Sequence, residues 1–334
     1  MKIWFRIIKR KIRSKKRGNV LGEELYANSM CKYLSRLKEV ESVWVYSQAN
    51  PPKEKMDFMI YMNDNLPNWS LAEKNILYLQ NGYGEWSDKK LEELYKRNYD
   101  WYAFISDELL KIHLKNLKSK NLKWGWIYLP FWADLELFYP REKEDRYAFD
   151  VSYIWNDIKW TERTEKYLYP AINFNFWLFW NRHRFNLWTI LLLRKYKFNF
   201  YKECLKPKYK KEFEKISKWK IPQKDVPILY SSSKINLNCT LQDCIDWNVI
   251  TLRTFEVLAC KWFLISDKSE IAEKELKDCV VFTDWGNDLV KKIEYYLQHP
   301  EERERIAENW YNYVKKHCNI EIQVSNLFNY LKSL

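Results

Sequence analysis

Residues 228–267, ILYSSSKINLNCTLQDCIDWNVITLRTFEVLACKWFLISD, hold the side chains best suited to chemistry. A Ser-rich run leads into a short apolar strand, a polar loop follows, and Arg253-Thr254-Phe255-Glu256 opens a helix. The first turn of a helix leaves backbone N–H groups unpaired, ready to receive phosphate. Arg253 adds a planar guanidinium that can grip phosphate through two parallel hydrogen bonds. Glu256 supplies a carboxylate able to accept from ribose hydroxyls. The same residues also suit a plain capped helix with a solvated Arg and Glu, and the stretch alone favours that simpler reading.

Metal chemistry finds little footing elsewhere. The seven Cys and four His show no Cys-x-x-Cys, His-x-His or His-Glu-x-x-His spacing, and no Asp-x-Asp occurs. An odd Cys count without a secretory signal predicts free thiols in a reducing compartment, and no metal site is expected. No run of 18 apolar residues exists, so no transmembrane helix is expected; 174–193 is broken by Arg182, His183 and Arg184.

Charge is concentrated. The net charge is +13, and nine of the first 17 residues are Lys or Arg with no acid among them. Seven of those cations fill the nine positions 9–17: Lys9, Arg10, Lys11, Arg13, Lys15, Lys16 and Arg17. Residues 182–220 hold 13 Lys or Arg against three Glu, interleaved with Trp188, Phe198 and Phe200. Such blocks attract phosphate on a substrate, an anionic lipid surface or nucleic acid. Neither block matches a nucleic-acid module, so nucleic acid is the minor expectation.

These residues need a frame. Ile3, Phe5 and Ile7 alternate with Trp4 and Arg6, the period of a strand, and a helix with apolar spacing near 3.6 follows the basic loop. Short strand-like runs at 43–46, 57–62, 75–79, 101–106 and 125–130 are separated, in the later part, by helical stretches at 88–98 and 107–117. The second half restarts with strands at 149–155 and 174–180 around a helix at 160–169. Runs at 228–233, 235–238, 263–266 and 280–283 read as strands, and 252–259, 288–299, 300–317 and 320–334 as helices. Alternation of this kind predicts α/β architecture, with two mostly parallel sheets facing across a cleft. The expected units are 1–145, 146–316 and a terminal helix, 317–334, returning to the first.

The segment from Tyr230 to the end resembles the C-terminal half of CgeB-like glycosyltransferases, which have the GT-B fold of two Rossmann-like domains. The resemblance lies in SKINLN, RTFEVLAC, FLISD and VVFTDWGNDLVKKIEYYLQHPEERERIAENWYNYVKKH, with an echo of the GT-B crossover in LPFWADLELFYP at 129–140. It implies a nucleotide-sugar donor on the second domain and an acceptor on the first, a glycan or lipid-linked sugar. It implies that Glu256 contacts the ribose, that Arg253 faces the diphosphate with Thr254 and Phe255 beside it, and that Tyr230, Ser231 and Ser233 line the donor loop. Arg163 is a further phosphate candidate. The cationic loop, closed by Gly18, becomes an acceptor- or membrane-binding element at the mouth of the cleft.

The family pattern is incomplete here. Asn248 stands where many retaining members carry a second Glu, and QNGYGE at 80–85 occupies the place expected for a His. Glu85, Asp134 and Glu23 are base candidates by location only. The expected function is metal-independent glycosyl transfer at the cytoplasmic face of a membrane. A catalytically silent GT-B-like binder and a basic nucleic-acid-binding protein are the alternatives.

Overall fold

The structure, a computed structural model, describes residues 1–7, 22–47, 51–62, 66–80, 88–120, 125–155, 162–180, 210–218, 221–276 and 279–334. Residues 9–18, Glu85 and 182–209 lie outside the described residues.

The first sheet contains β1 (Lys2–Ile7), β2 (Ser42–Ser47), β3 (Met56–Tyr61), β4 (Ala72–Leu79), β5 (Trp101–Phe104) and β6 (Gly125–Tyr128). All pair in parallel, in the order β2-β1-β3-β4-β5-β6. In β1 the period-two pattern buries Ile3, Phe5 and Ile7 on one face, while β3 and β4 are buried nearly throughout. That contrast fits a parallel sheet covered on both sides. One face packs on α1 (Gly22–Leu34), the other on α2 (Asp88–Tyr95) and α3 (Asp107–Lys120).

Gly125 permits one unusually close approach in this sheet. A Cβ there would lie 1.6 Å from Trp101 Cδ1, on the neighbouring strand, and Lys74 Nζ stands 4.8 Å from the same ring's centroid. Gly125→Ala is therefore expected to displace the indole and cost about 1–3 kcal/mol, the usual range for overpacking. Urea unfolding followed by Trp fluorescence checks this; an unshifted midpoint would mean the ring has another seat.

The second sheet contains β7 (Val151–Trp155), β8 (Phe176–Trp180), β9 (Ser217–Lys218), β10 (Ile235–Asn238), β11 (Leu264–Asp267) and β12 (Val281–Thr283). Its order is β12-β11-β10-β7-β8-β9, again parallel. The helices are α4 (Glu162–Leu168), α5 (Lys210–Ile216), α6 (Val226–Ser232), α7 (Gln242–Asp246), α8 (Leu252–Ala259), α9 (Glu270–Glu275), α10 (Gly286–Gln298), α11 (Pro300–His317) and α12 (Ile320–Ser333). Two six-stranded Rossmann-like halves thus match the fold predicted from the alternation of strands and helices.

One predicted strand is a helix. Residues 228–232 fall in α6, with Ser233 as its C-cap; the helix starts after a 3-10 turn with Pro227 in its first turn, where proline's fixed φ suits a helix. Val226, Pro227, Leu229, Tyr230, Ser231 and Ser232 are all buried. A short run buried all round has no periodicity to separate strand from helix. The helix α7 likewise replaces a predicted loop.

The chain crosses between the halves twice, and the crossings are bonded together. Ala133 N donates to Cys318 O at 3.1 Å and Ile320 N to Ala133 O at 2.8 Å. Beyond the second crossing α12 lies on α1, its Val324, Leu327, Phe328 and Leu331 entering the first half's core. Tyr26 of α1 donates to Gln323 Oε1 at 2.6 Å, deep in that contact.

Candidate functional site

In parallel α/β sheets the loops at the carboxyl ends of the strands form the binding edge. At that edge of the second sheet, α8 begins with Thr251 as its N-cap in extended conformation. The Thr251 side chain caps no first-turn amide. Thr254 and Phe255 are buried and seat the helix, whereas Arg253 and Glu256, three apart, are only partly buried.

Arg253 lies beside two phenols. Its guanidinium carbon is 4.9 Å from the centroid of the Tyr153 ring on β7, and its charge acts on the Tyr153 and Tyr230 hydroxyls. Burial pushes Tyr153 up to about 12 and Tyr230 well above the usual tyrosine range, with Arg253 opposing both. Burial works against the charge on Arg253, but Tyr153, Tyr230 and Glu256 outweigh it and hold the guanidinium more firmly protonated than usual. Glu256 is different. Burial raises its pKa to about 7, only partly offset by Arg253, and its carboxylate makes no hydrogen bond or ion pair among the described residues. An acceptor without donors beside a fixed cation is suited to a ligand that brings hydroxyls and phosphate together.

A second cluster closes the same edge. Asp267, at the end of β11, pairs with Arg163 Nη2 at 2.6 Å, and its side chain is 1% exposed. It also accepts from Thr240 N at 2.9 Å and Thr240 Oγ1 at 2.9 Å. Arg163 further donates to the Thr240 carbonyl and lies 4.6 Å from the Trp285 ring centroid. Both terminal nitrogens of Arg163 are thus engaged by protein, so this residue builds the edge rather than offering itself to phosphate.

The remaining expected residues fall in several places. Tyr230 joins the Arg253 cluster. Ser231 and Ser233 are buried against the first crossing: Ser231 Oγ accepts from Arg141 N at 3.1 Å, and Ser233 Oγ donates to Tyr147 O at 3.4 Å. They pin α6 to the chain before β7 instead of lining an open loop. Asp134 is buried under α1, accepting from Ser29 Oγ at 2.6 Å, Lys32 Nζ at 2.7 Å and Tyr33 OH at 3.1 Å. Its carboxylate is saturated by donors and anchors the crossing to α1. Glu23 sits in the first turn of α1, where the helix dipole favours an acid. Glu85 and the loop residues Lys9, Arg10, Lys11, Arg13, Lys15, Lys16, Arg17 and Gly18 lie outside the described residues. Asn248 has φ 50, a left-handed turn that Asn tolerates better than Glu does. Among the described residues no three His, Cys, Asp or Glu gather as a potential metal site, and no helix is long and apolar enough to cross a membrane.

Sequence reasoning missed Tyr153, Thr240 and Asp267. Asp267 carried a legible signal, an acid ending a strand that is otherwise apolar. Tyr153 carried none beyond its place in β7.

Residues 180–329 match the glycosyl transferase-like family. No curated protein matches the chain in sequence. Among solved structures, sucrose-phosphate synthase from Thermosynechococcus elongatus superposes with a TM-score of 0.65 at 11% identity, covering 100% of this chain and 99% of that one. HepE from Anabaena, in complex with UDP and glucose, gives a TM-score of 0.62 at 11% identity with both chains fully covered. The T4 phage enzyme BGT, in complex with its UDP-glucose substrate, gives 0.59 at 15% identity, again over both whole chains. The fold is GT-B. Residues 180–329 carry the glycosyl transferase-like sequence pattern, and the whole chain carries the two-domain frame of these solved structures.

Proposed function

We propose that this GT-B enzyme transfers a sugar from a nucleotide-sugar donor, of the UDP-glucose kind, to a glycan or lipid-linked acceptor, without a metal. The observation that carries this reading is the placement of Arg253 on α8 three residues before Glu256, whose carboxylate meets no donor among the described residues. Arg253 and the first-turn amides would receive the diphosphate, and Glu256 the ribose hydroxyls. Structural neighbours described with UDP and UDP-glucose support the donor class. The acceptor is not inherited from them, because one neighbour is a sucrose-phosphate synthase and another a DNA-modifying glucosyltransferase. The CgeB-like subtype rests on the motifs at 228–334. Residues 1–145 would hold the acceptor, 146–316 the donor, and 317–334 would return to the first domain. The charge at 9–17 and 182–220 is the basis for placing the protein at the cytoplasmic face of an anionic membrane.

The reading expects at least one of UDP, GDP, ADP or dTDP to raise the melting temperature at millimolar concentration, as binding to the folded state alone requires. A flat response to all four would remove the donor site. A second reading, a binder without catalysis, draws on the saturated Asp134 and on Asn248 in place of an acid. It expects the same shift but neither transfer nor donor hydrolysis.

A further inference from the structure

Between Thr240 and α8, residues 241–251 leave their own domain. Val249 is buried among the apolar side chains of the first domain, and Cys244, Trp247 and Leu252, the first residue of α8, pack against the same cluster. Trp247 touches the core on both faces of the first sheet. A polar bond helps fix this contact. Ser106, fully buried just after β5, donates from Oγ to the Trp247 carbonyl at 2.5 Å and accepts from Leu109 N at 3.2 Å. A single hydroxyl therefore caps α3 and holds a segment of the other domain. The segment's own turn is closed by Val249 N donating to Cys244 O at 2.8 Å around the left-handed Asn248. Its start is fixed by Thr240 on Asp267.

The helix that follows has eight residues and no side-chain N-cap, so its position comes from packing at both ends. Leu252 rests on the first domain, while Phe255, Val257 and Leu258 sit in the second domain's core. We infer that residues 241–251 form a strap through which the first domain holds α8, and that Ser106 is thereby a positioning residue for Arg253 and Glu256. The inference rests on the reading that these two residues bind the donor. Side chains that must meet a ligand within a fraction of an ångström depend on such supports.

The test is calorimetric titration of the full chain with UDP, or with whichever of the four diphosphates binds. Ser106→Ala is expected to weaken binding about fivefold or more, at the scale typical of coupling between sites. Ser106→Thr, which keeps the hydroxyl, should restore most of it. Leu94→Ala removes core in the same domain near the start of β5, where Tyr102 OH meets the Leu94 carbonyl, and should leave affinity unchanged. If Ser106→Ala fails to fold, Val249→Ala reads the strap through its packing. Wild-type affinity in the Ser106 and Val249 variants would overturn the inference, as would equal weakening in Leu94→Ala. Absence of binding in the wild type would instead strike the donor-site reading itself.

Discussion

Glu256→Ala is expected to weaken UDP binding roughly ten- to hundredfold, because a charged acceptor contributes about 1.5–3 kcal/mol. The pH dependence should be as informative as the loss. The folded carboxyl keeps its proton to about pH 7, against an ordinary value of 4.5, because burial penalises its charge. A raised acid means that the folded state binds more protons between those values than the unfolded state does. The wild type therefore loses stability as pH rises through that window, and Glu256→Ala should lack this part of the decline. Ribose hydroxyls need the carboxylate as acceptor, so wild-type UDP affinity should rise from pH 5.5 towards a plateau above about 7. The variant should keep only the shallower rise that comes from the second ionisation of UDP's own terminal phosphate, at about pH 6. Calorimetry across that range measures both; a wild-type profile no steeper than the variant's would place the ribose elsewhere.

Asp267→Ala should cause a second large effect, on stability. It leaves Arg163, whose side chain is 15% exposed, without its partner, and frees the Thr240 amide and hydroxyl. Removing one member of a buried pair costs about 3–5 kcal/mol, since the other charge stays buried and uncompensated. Replacing both, as Arg163→Met with Asp267→Leu, should recover much of that loss. Urea unfolding of the two variants measures the difference. A loss under about 1 kcal/mol in Asp267→Ala would show that water reaches Arg163 freely.

Much of the frame was legible because its signals are local. Ile3, Phe5 and Ile7 alternate, and Glu301 and Glu302 mark the start of α11 as its dipole requires. Arg253 and Glu256 were legible from residue type and their place at a helix start. The partners that set their chemistry were not. Tyr153 lies 100 residues from Arg253 in sequence, and no local pattern encodes that contact. Asp134 and Arg163 looked like free functional groups because sequence shows a charge without its counter-charge. Lys32 and Asp267 supply those counter-charges through the fold. The buried helix at 226–232 was misread because its apolar run is shorter than the period needed to identify it.

On this reading α8 presents the donor's nucleotide, with Glu256 at the ribose and Arg253 at the diphosphate. A crystal structure of the protein soaked with UDP would show whether it does. Density is expected at the start of α8, with ribose hydroxyls within hydrogen-bonding distance of the Glu256 carboxylate and phosphate oxygens on Arg253. UDP bound away from α8, with both side chains left as they stand, would contradict it.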